Sequence, residues 1–198
     1  MSLLLELSGT QSGTRGQSIL LNMRDKRGRT PLMHAIEHGH GKFVEALLKA
    51  SADPLHAEIF DTKRGHNCLH AACALRPPYS LKAAELVETL VQDGGYGISV
   101  PDGEGNSCLH LAAETGNKRL IKKLIDLGCD ARVVNKEGRT PLHSAAAYGH
   151  AEAVLEILNQ MSSPQSFAAL KDSQGNTAVQ LAGHFGHEAI VQILSAYN

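Results

Sequence analysis

The sequence contains no tryptophan, and aromatic residues make up only 4% of its 198 residues. A core of this chain must therefore be built from leucine, isoleucine, valine and alanine, which suits helices that pack closely in thin layers. Hydrophobic residues amount to 42% and charged residues to 20%. This balance is that of a chain that buries a core, and it excludes a disordered protein.

A strong excess of charge and a long apolar run are also missing. The formal net charge is −1, so nothing global indicates binding to nucleic acid or to an anionic membrane. No stretch approaches the roughly 18 apolar residues of a membrane helix, and the start, Met1 to Leu7, is too short and too acidic for a signal peptide. The four cysteines are too dispersed for a secreted disulfide scaffold. We predict a cytoplasmic protein, with the nucleus as an open alternative, and no membrane insertion.

Signatures of catalysis and of cofactor binding are absent as well. Gly9, Gly13 and Gly16 lack the lysine and the preceding strand of a phosphate-binding loop. The chain has no Gly-x-Ser-x-Gly elbow and no His-Glu-x-x-His motif. Cys68 and Cys73 with nearby histidines do not have the spacing of a structural zinc site and are predicted to be small core residues. We therefore predict no enzyme activity, no cofactor and no metal.

One segment recurs five times along the chain. Its apolar key position falls at spacings of 37, 40, 33 and 37 residues, at Leu32, Leu69, Leu109, Leu142 and Val179. The clearest copies read Gly-Arg-Thr-Pro-Leu from Gly28 and from Gly138. The glycine suits a turn, the threonine a helix N-cap and the proline the first helical position. A second apolar helix follows in each copy, and because one helix pair cannot bury its own face, the copies must stack.

This pattern resembles the ankyrin repeat, a unit of about 33 residues with a Thr-Pro-Leu-His signature. The resemblance implies an all-α solenoid of stacked helix-turn-helix units with β-hairpin loops. We place five repeats at 25–60, 61–99, 100–133, 134–170 and 171–198, after a partial repeat or cap with a Gly/Ser-rich loop at 1–24. It further implies that the signature histidines, His70, His110 and His143, bond to backbone near the hairpins and tie neighbouring repeats together.

The resemblance also implies where a partner protein binds. In ankyrin-like arrays, the hairpin tips and the exposed side of each first helix line a concave groove. Mapped onto this sequence, the partner-binding positions are Lys26, Arg27, Arg29, His38, Lys63, Arg64, His66, Glu104, Asn106, Lys136, Arg139, Tyr148, Gln174 and Phe185. The first two tips are basic, which favours a partner with an acidic segment. Tyr148 and Phe185 either contact the partner or pack on the next repeat.

We therefore predict a monomeric, non-catalytic scaffold that binds a partner protein through this groove. A second hypothesis is that the array is a targeting or regulatory module of a larger protein or enzyme, which the partial repeat near Met1 suggests. A third is that Asn22 is the substrate of a hydroxylating enzyme, because it occupies a position at which ankyrin-like proteins are modified.

Overall fold

The structure, a computed structural model, describes residues 21, 23–26, 28–50 and 65–197. Four residues singled out by the sequence lie outside this part of the chain: Asn22, Arg27, Lys63 and Arg64. Most of the predicted N-terminal cap, residues 1–20, lies outside it too. The predicted all-α architecture is confirmed for the part that is described.

Helices account for most of the described residues. In chain order they are α1 (Pro31–Glu37), α2 (Gly41–Ala50), α3 (Cys68–Cys73), α4 (Ala83–Gln92), α5 (Cys108–Glu114), α6 (Lys118–Asp126), α7 (Pro141–Ala147), α8 (Ala151–Asn159), α9 (Pro164–Ala168), α10 (Ala178–His184) and α11 (Glu188–Ser195). A short 3-10 helix, Ser80–Lys82, precedes α4. The loops are tight turns, and an isolated antiparallel bridge joins Lys171 and Thr177.

The helices pack in pairs, and the pairs stack in two layers. Each first helix contacts the second helix of its own repeat, as α1 does α2 and α7 does α8. The first helices form one layer, in which α1, α3, α5, α7 and α10 contact one another in that order. The second helices form the other layer, in the order α2, α4, α6, α8 and α11, and α9 packs on α8. This is the two-layered stack of a helical solenoid.

The signature residues start the first helices as their chemistry predicts. The hydroxyl of Thr30 caps α1 by accepting the N–H of Met33 at 3.4 Å, and Pro31 and Pro141 lie in the first turns of α1 and α7. Thr140 caps α7 from an extended backbone conformation. The first N–H groups of a helix have no partner within the helix. At the starts of α1 and α7, threonine supplies an acceptor and proline removes one of the donors.

The core runs without interruption between the two layers. Leu69, Leu109 and Leu142 are fully buried in it. Paired alanines such as Ala112 and Ala113 are equally buried, and their small side chains let neighbouring first helices approach closely. Each repeat thus buries its apolar side chains against its neighbours. The ends of the first helices and the hairpin tips carry exposed side chains.

Candidate partner-binding surface

Two exposed aromatic rings occupy equivalent places on adjacent first helices. Tyr148 is the C-cap residue of α7 and Phe185 the C-cap residue of α10. Each residue is 52% exposed, so packing on a neighbouring repeat does not bury either ring. The rings of His184 and Phe185 lie nearly perpendicular to each other, with their centroids 5.2 Å apart. Each ring therefore presents apolar area to solvent at the end of its first helix.

The same C-cap position in the other described repeats carries smaller or polar side chains. His38 ends α1, Ala74 ends α3 and Thr115 ends α5. His38 is exposed, and its Nδ1 lies 2.8 Å from the carbonyl oxygen of His34, to which it donates. Of the C-cap residues of the described first helices, those of α7 and α10 are thus the ones with large apolar rings.

The hairpin tips are shaped by one side chain at the start of each turn. Asp102 accepts the N–H groups of Glu104 at 2.8 Å and Asn106 at 2.7 Å through one carboxylate oxygen. Asn135 holds the next tip by accepting the N–H groups of Glu137 and Arg139, both at 3.0 Å. These short local bonds fix the turn without a paired strand.

Neighbouring tips are joined to each other through the backbone. The N–H of Lys136 donates to the carbonyl oxygen of Glu104 at 3.1 Å, and the N–H of Ser173 donates to that of Glu137 at 2.9 Å. The amine of Lys136 also donates to the carbonyl oxygen of Gly103. The side chains of Glu104, Lys136 and Gln174 remain exposed, so the tips of three successive repeats present a fixed row of polar groups.

Two of the predicted binding residues bridge neighbouring tips. His66 is only 8% exposed, and its Nε2 lies 3.2 Å from the Asp102 carboxylate in the next tip. Asn106 accepts a bond from the side-chain amide of Asn135 at 2.9 Å and donates to Asp102 at 3.2 Å. Both side chains are engaged in holding the array together, which leaves less of each to meet a partner.

Two arginines predicted to bind a partner form ion pairs within the protein. Arg29 donates to Asp25 at 2.9 Å and to Glu37 at 2.8 Å. Arg139 pairs with Glu137 at 2.7 Å and lies 3.6 Å from the buried carboxylate of Asp172. Lys26 is exposed, so among the described residues of the first tip it is the cation most accessible to a partner.

Asp172 holds the last tip in the same way as Asp102 holds its own. It accepts the N–H groups of Gln174 at 3.0 Å and Asn176 at 2.8 Å. Burial opposes ionisation of this carboxyl, but the two N–H donors and nearby Arg139 outweigh it and hold the pKa of Asp172 below its usual range. The tip is therefore built around a carboxylate ion.

The signature histidines form what we call the capping row: His70, His110 and His143. Each accepts the backbone N–H of its helix N-cap through Nδ1, at 3.1 to 3.2 Å. Each donates from Nε2 to a carbonyl oxygen near the next hairpin, of Val100 at 2.9 Å, Arg139 at 2.8 Å and Leu170 at 3.1 Å, respectively.

The partners on both sides fix the neutral tautomer with hydrogen on Nε2. Burial lowers the pKa of all three imidazoles. The inter-repeat role that the resemblance implied is therefore what the structure shows. A histidine held in this way has no free nitrogen to act as a general base.

A second set of inter-repeat bonds was not recognised in the sequence. The Nε2 of His150 lies 2.9 Å from the carbonyl oxygen of Glu114, and that of His187 lies 3.0 Å from the carbonyl oxygen of Ala147. Each imidazole packs against the glycine that ends a first helix of the preceding repeat. We call this pair the glycine-histidine row. Its signal in the sequence is the dipeptide Gly-His at the end of a first helix, as in Gly149-His150.

The cysteines are core residues, as predicted for Cys68 and Cys73. Those two and Cys108 are fully buried, and Cys129 is partly buried. Burial raises the pKa of Cys68 to about 11 and that of Cys129 to about 12. Such thiols are protonated at neutral pH and do not act as nucleophiles.

None of the helices in the described part of the chain combines the length and hydropathy needed to cross a bilayer.

Comparison with known proteins agrees with the fold. A family model described as "Ankyrin repeats (3 copies)" matches residues 3–102, 69–167 and 109–198. The chain is 28% identical to the human transient receptor potential cation channel subfamily A member 1 over 174 residues, which are 88% of this chain and 15% of the channel protein. It is 31% identical over 130 residues to the putative ankyrin repeat protein FPV223 of fowlpox virus (strain NVSL), covering 64% of this chain and 81% of the viral protein. The chain thus spans a small part of the first relative and most of the second.

Proposed function

Because the chain belongs to the ankyrin-repeat family, whose general role is protein–protein interaction, we propose that it binds a partner protein through its first-helix ends and hairpin tips. The observation that supports this most is the pair of exposed rings, Tyr148 and Phe185, on adjacent helices. Aromatic side chains are enriched among the residues that contribute most to interface affinity. In a chain with so few aromatics, placing two of them on one surface favours a binding role.

The exposed polar tips suit the rim of such an interface. Glu104, Lys136 and Gln174 are exposed and are spaced by backbone bonds between their loops. Polar groups in fixed positions select a partner by complementary charge and hydrogen bonding, while the two rings, once covered by the partner, supply most of the affinity. We propose a monomeric array in which the aromatic pair is the anchor and the tips give specificity.

The N-terminal end of the surface is proposed to receive an acidic segment of the partner. Lys26 is exposed there, and the basic residues Arg27, Lys63 and Arg64 follow in the sequence outside the described residues. Arg29 contributes less, because Asp25 and Glu37 already offset its charge. The proposed function is non-catalytic, as is typical of the family.

The test is capture of partners from a native lysate by the wild-type chain and by a Tyr148→Ala, Phe185→Ala double variant. The matched control is Phe43→Ala, which removes a ring that is 39% exposed on α2, in the other layer. We expect a protein that wild type and Phe43→Ala capture and the double variant loses. With that protein purified, removal of each ring is expected to weaken binding by about 2 kcal/mol, roughly thirtyfold in Kd. Equal capture by the double variant would reject the aromatic pair as the anchor.

A second candidate function is that the array serves a larger protein as its targeting or regulatory module. The similarity to a short portion of a long channel protein favours it. An antibody against the array, used on native lysate, separates the two possibilities. A band near 21.2 kDa supports a free-standing scaffold, whereas a much larger band supports the module.

A further inference from the structure

Two imidazoles and a carboxylate meet at the C-terminal end of α1. Glu37 and His38 follow His34 by three and four residues, so each of them lies beside His34 on the helix surface. One nitrogen or carboxylate oxygen from each residue lies within 4.8 Å of those of the other two. Zinc binds such atoms at about 2.0 Å, so binding would draw the three side chains closer together.

The hydrogen bonds of the two histidines leave one nitrogen of each ring with a lone pair. The Nε2 of His34 lies 3.0 Å from the Asp25 carboxylate, and the Nδ1 of His38 lies 2.8 Å from the carbonyl oxygen of His34. Both partners are acceptors, so both of these nitrogens carry hydrogen. Histidines that bind metals in proteins donate their other N–H to a carboxylate or a backbone carbonyl in just this way, which fixes the tautomer and makes the remaining nitrogen a better ligand.

The carboxylates of the cluster are held by one guanidinium. Arg29 donates to Glu37 at 2.8 Å through Nη1 and to Asp25 at 2.9 Å through Nη2. The bond to Glu37 uses Oε2 and leaves a second carboxylate oxygen for an ion. Arg29 offsets part of the negative charge of these two carboxylates, and the Glu37 carboxylate stays close to both imidazoles.

We propose that His34, Glu37 and His38 bind a divalent transition-metal ion of the zinc class. Two imidazoles and one carboxylate form a ligand set that suits zinc and leaves a fourth position for water. Calcium and magnesium prefer all-oxygen sites and are expected to bind far more weakly. His38 is exposed, so the ion reaches the site from solvent without opening the fold.

The site goes beyond the proposed partner binding and does not depend on it. His38 is the one predicted partner-binding residue among the three ligands; the exposed rings and the tips contribute none, and the ion is titrated into the chain alone. Failure to bind metal would leave the aromatic surface untouched, and failure to capture a partner would leave the metal site untouched.

Calorimetric titration of zinc chloride into the untagged, chelator-treated chain tests the proposal. We expect saturable binding of one ion per chain for wild type and its loss in a His34→Asn, His38→Asn double variant. The matched control is His184→Asn, because His184 is an exposed histidine of α10 that belongs to no such cluster within the described residues. This control is expected to bind as wild type does. Circular dichroism and the melting temperature establish that each variant is folded.

A conservative change tests the carboxylate by itself. Loss of a partner outside the ligand shell commonly costs about 10- to 100-fold in metal affinity, so Glu37→Gln, which removes a ligand charge, is expected to weaken zinc binding at least about tenfold. Cobalt replaces zinc as a visible probe, and its absorption should appear with wild type and disappear with the double histidine variant. The proposal is overturned if wild type shows no saturable binding, or if the double histidine variant binds with unchanged stoichiometry and affinity.

Discussion

The Nε2–H of His110 donates a hydrogen bond to the carbonyl oxygen of Arg139, 2.8 Å away in the next repeat. The same ring accepts the backbone N–H of Ser107 through Nδ1 at 3.1 Å. His110 is fully buried, so the ring makes both bonds away from solvent. One side chain thus caps its own helix and connects two repeats.

Replacing this ring should destabilise the middle of the array. In His110→Ala, the Ser107 N–H and the Arg139 carbonyl lose their partner in a buried place, and each unsatisfied group costs about 1–3 kcal/mol. We expect the free energy of unfolding, measured by urea denaturation, to fall by about 2–4 kcal/mol. His184→Ala, which removes an exposed imidazole, should change it by less than about 0.5 kcal/mol. Equal losses in both variants would contradict the structural role of His110.

The capping row should also make the fold sensitive to acid. Burial lowers the pKa of His70, His110 and His143 in the folded chain, whereas an unfolded histidine titrates near about 6.5. The unfolded chain therefore binds more protons once the pH drops through that value. Stability is complete above it and falls below it, by at most about 1.4 kcal/mol per pH unit for each histidine, until the lowered folded pKa is reached.

Urea denaturation at pH values from about 8 to about 5 measures this slope. A His110→Gln variant keeps a polar side chain of similar length but removes one titrating group, so its slope should be shallower than that of wild type. An acid slope that is the same in both proteins would show that His110 does not titrate differently on folding.

Two glycines provide a matched test of the glycine-histidine row. Gly149 and Gly186 both end a first helix with positive φ, +80° and +76°, so alanine at either one costs about 1–2 kcal/mol in backbone strain. A Cβ at Gly149 would lie 2.7 Å from the ring of His187, whereas one at Gly186 meets nothing within 4 Å. We expect Gly149→Ala to be the more destabilising by about 1–3 kcal/mol in thermal or urea unfolding. If Gly186→Ala costs as much, the contact with His187 is unimportant.

The buried thiols should react slowly while the chain is folded. Burial raises the pKa of Cys68 to about 11 and that of Cys129 to about 12, and alkylation requires the thiolate. At about pH 8, labelling of both by iodoacetamide should be at least about a hundredfold slower than in urea. Mass spectrometry of the labelled peptides gives each rate. Labelling of Cys129 at its unfolded rate in the native protein would contradict its environment.

The first repeat lacks a member of the capping row and should open more readily. Met33 stands at the signature position of α1, and a thioether cannot replace the two bonds that His143 makes in α7. The two helices can be compared directly, because each follows a threonine N-cap, begins Pro-Leu and spans seven residues. We expect amide hydrogen exchange to be faster in α1 than in α7. Equal protection of the two helices would show that the capping row does not govern local opening.

The fold could be predicted from the sequence because the residues that begin and end each helix act locally within each repeat. Threonine caps the helix, proline opens it, leucine enters the core and glycine ends it, and each of these effects acts within a few residues. Five copies of the same order then leave stacking as the way to bury the apolar faces. The role of the signature histidines followed from the family resemblance, and the structure shows the bonds.

The contacts of the proposed binding surface were harder to predict because many of them cross from one repeat to the next. His66 meets Asp102, and Asn106 meets Asn135, across 36 and 29 residues of sequence. A position-by-position mapping identifies a tip residue but not the neighbour that engages it. For Tyr148 two outcomes were open, and its 52% exposure shows that the ring is not buried against the next repeat, while its contact with a partner stays a prediction. The partner itself and the roles of Lys63 and Arg64 stay predictions.

The inter-repeat bonds of both histidine rows end on backbone carbonyl oxygens, such as those of Arg139 and Ala147. Every amino acid supplies that oxygen, so such a hydrogen bond does not depend on the side chain of the accepting residue. One repeat can therefore be duplicated, deleted or exchanged for another without changing these histidine bonds, although side-chain bonds between tips, such as that of His66 to Asp102, would have to be matched.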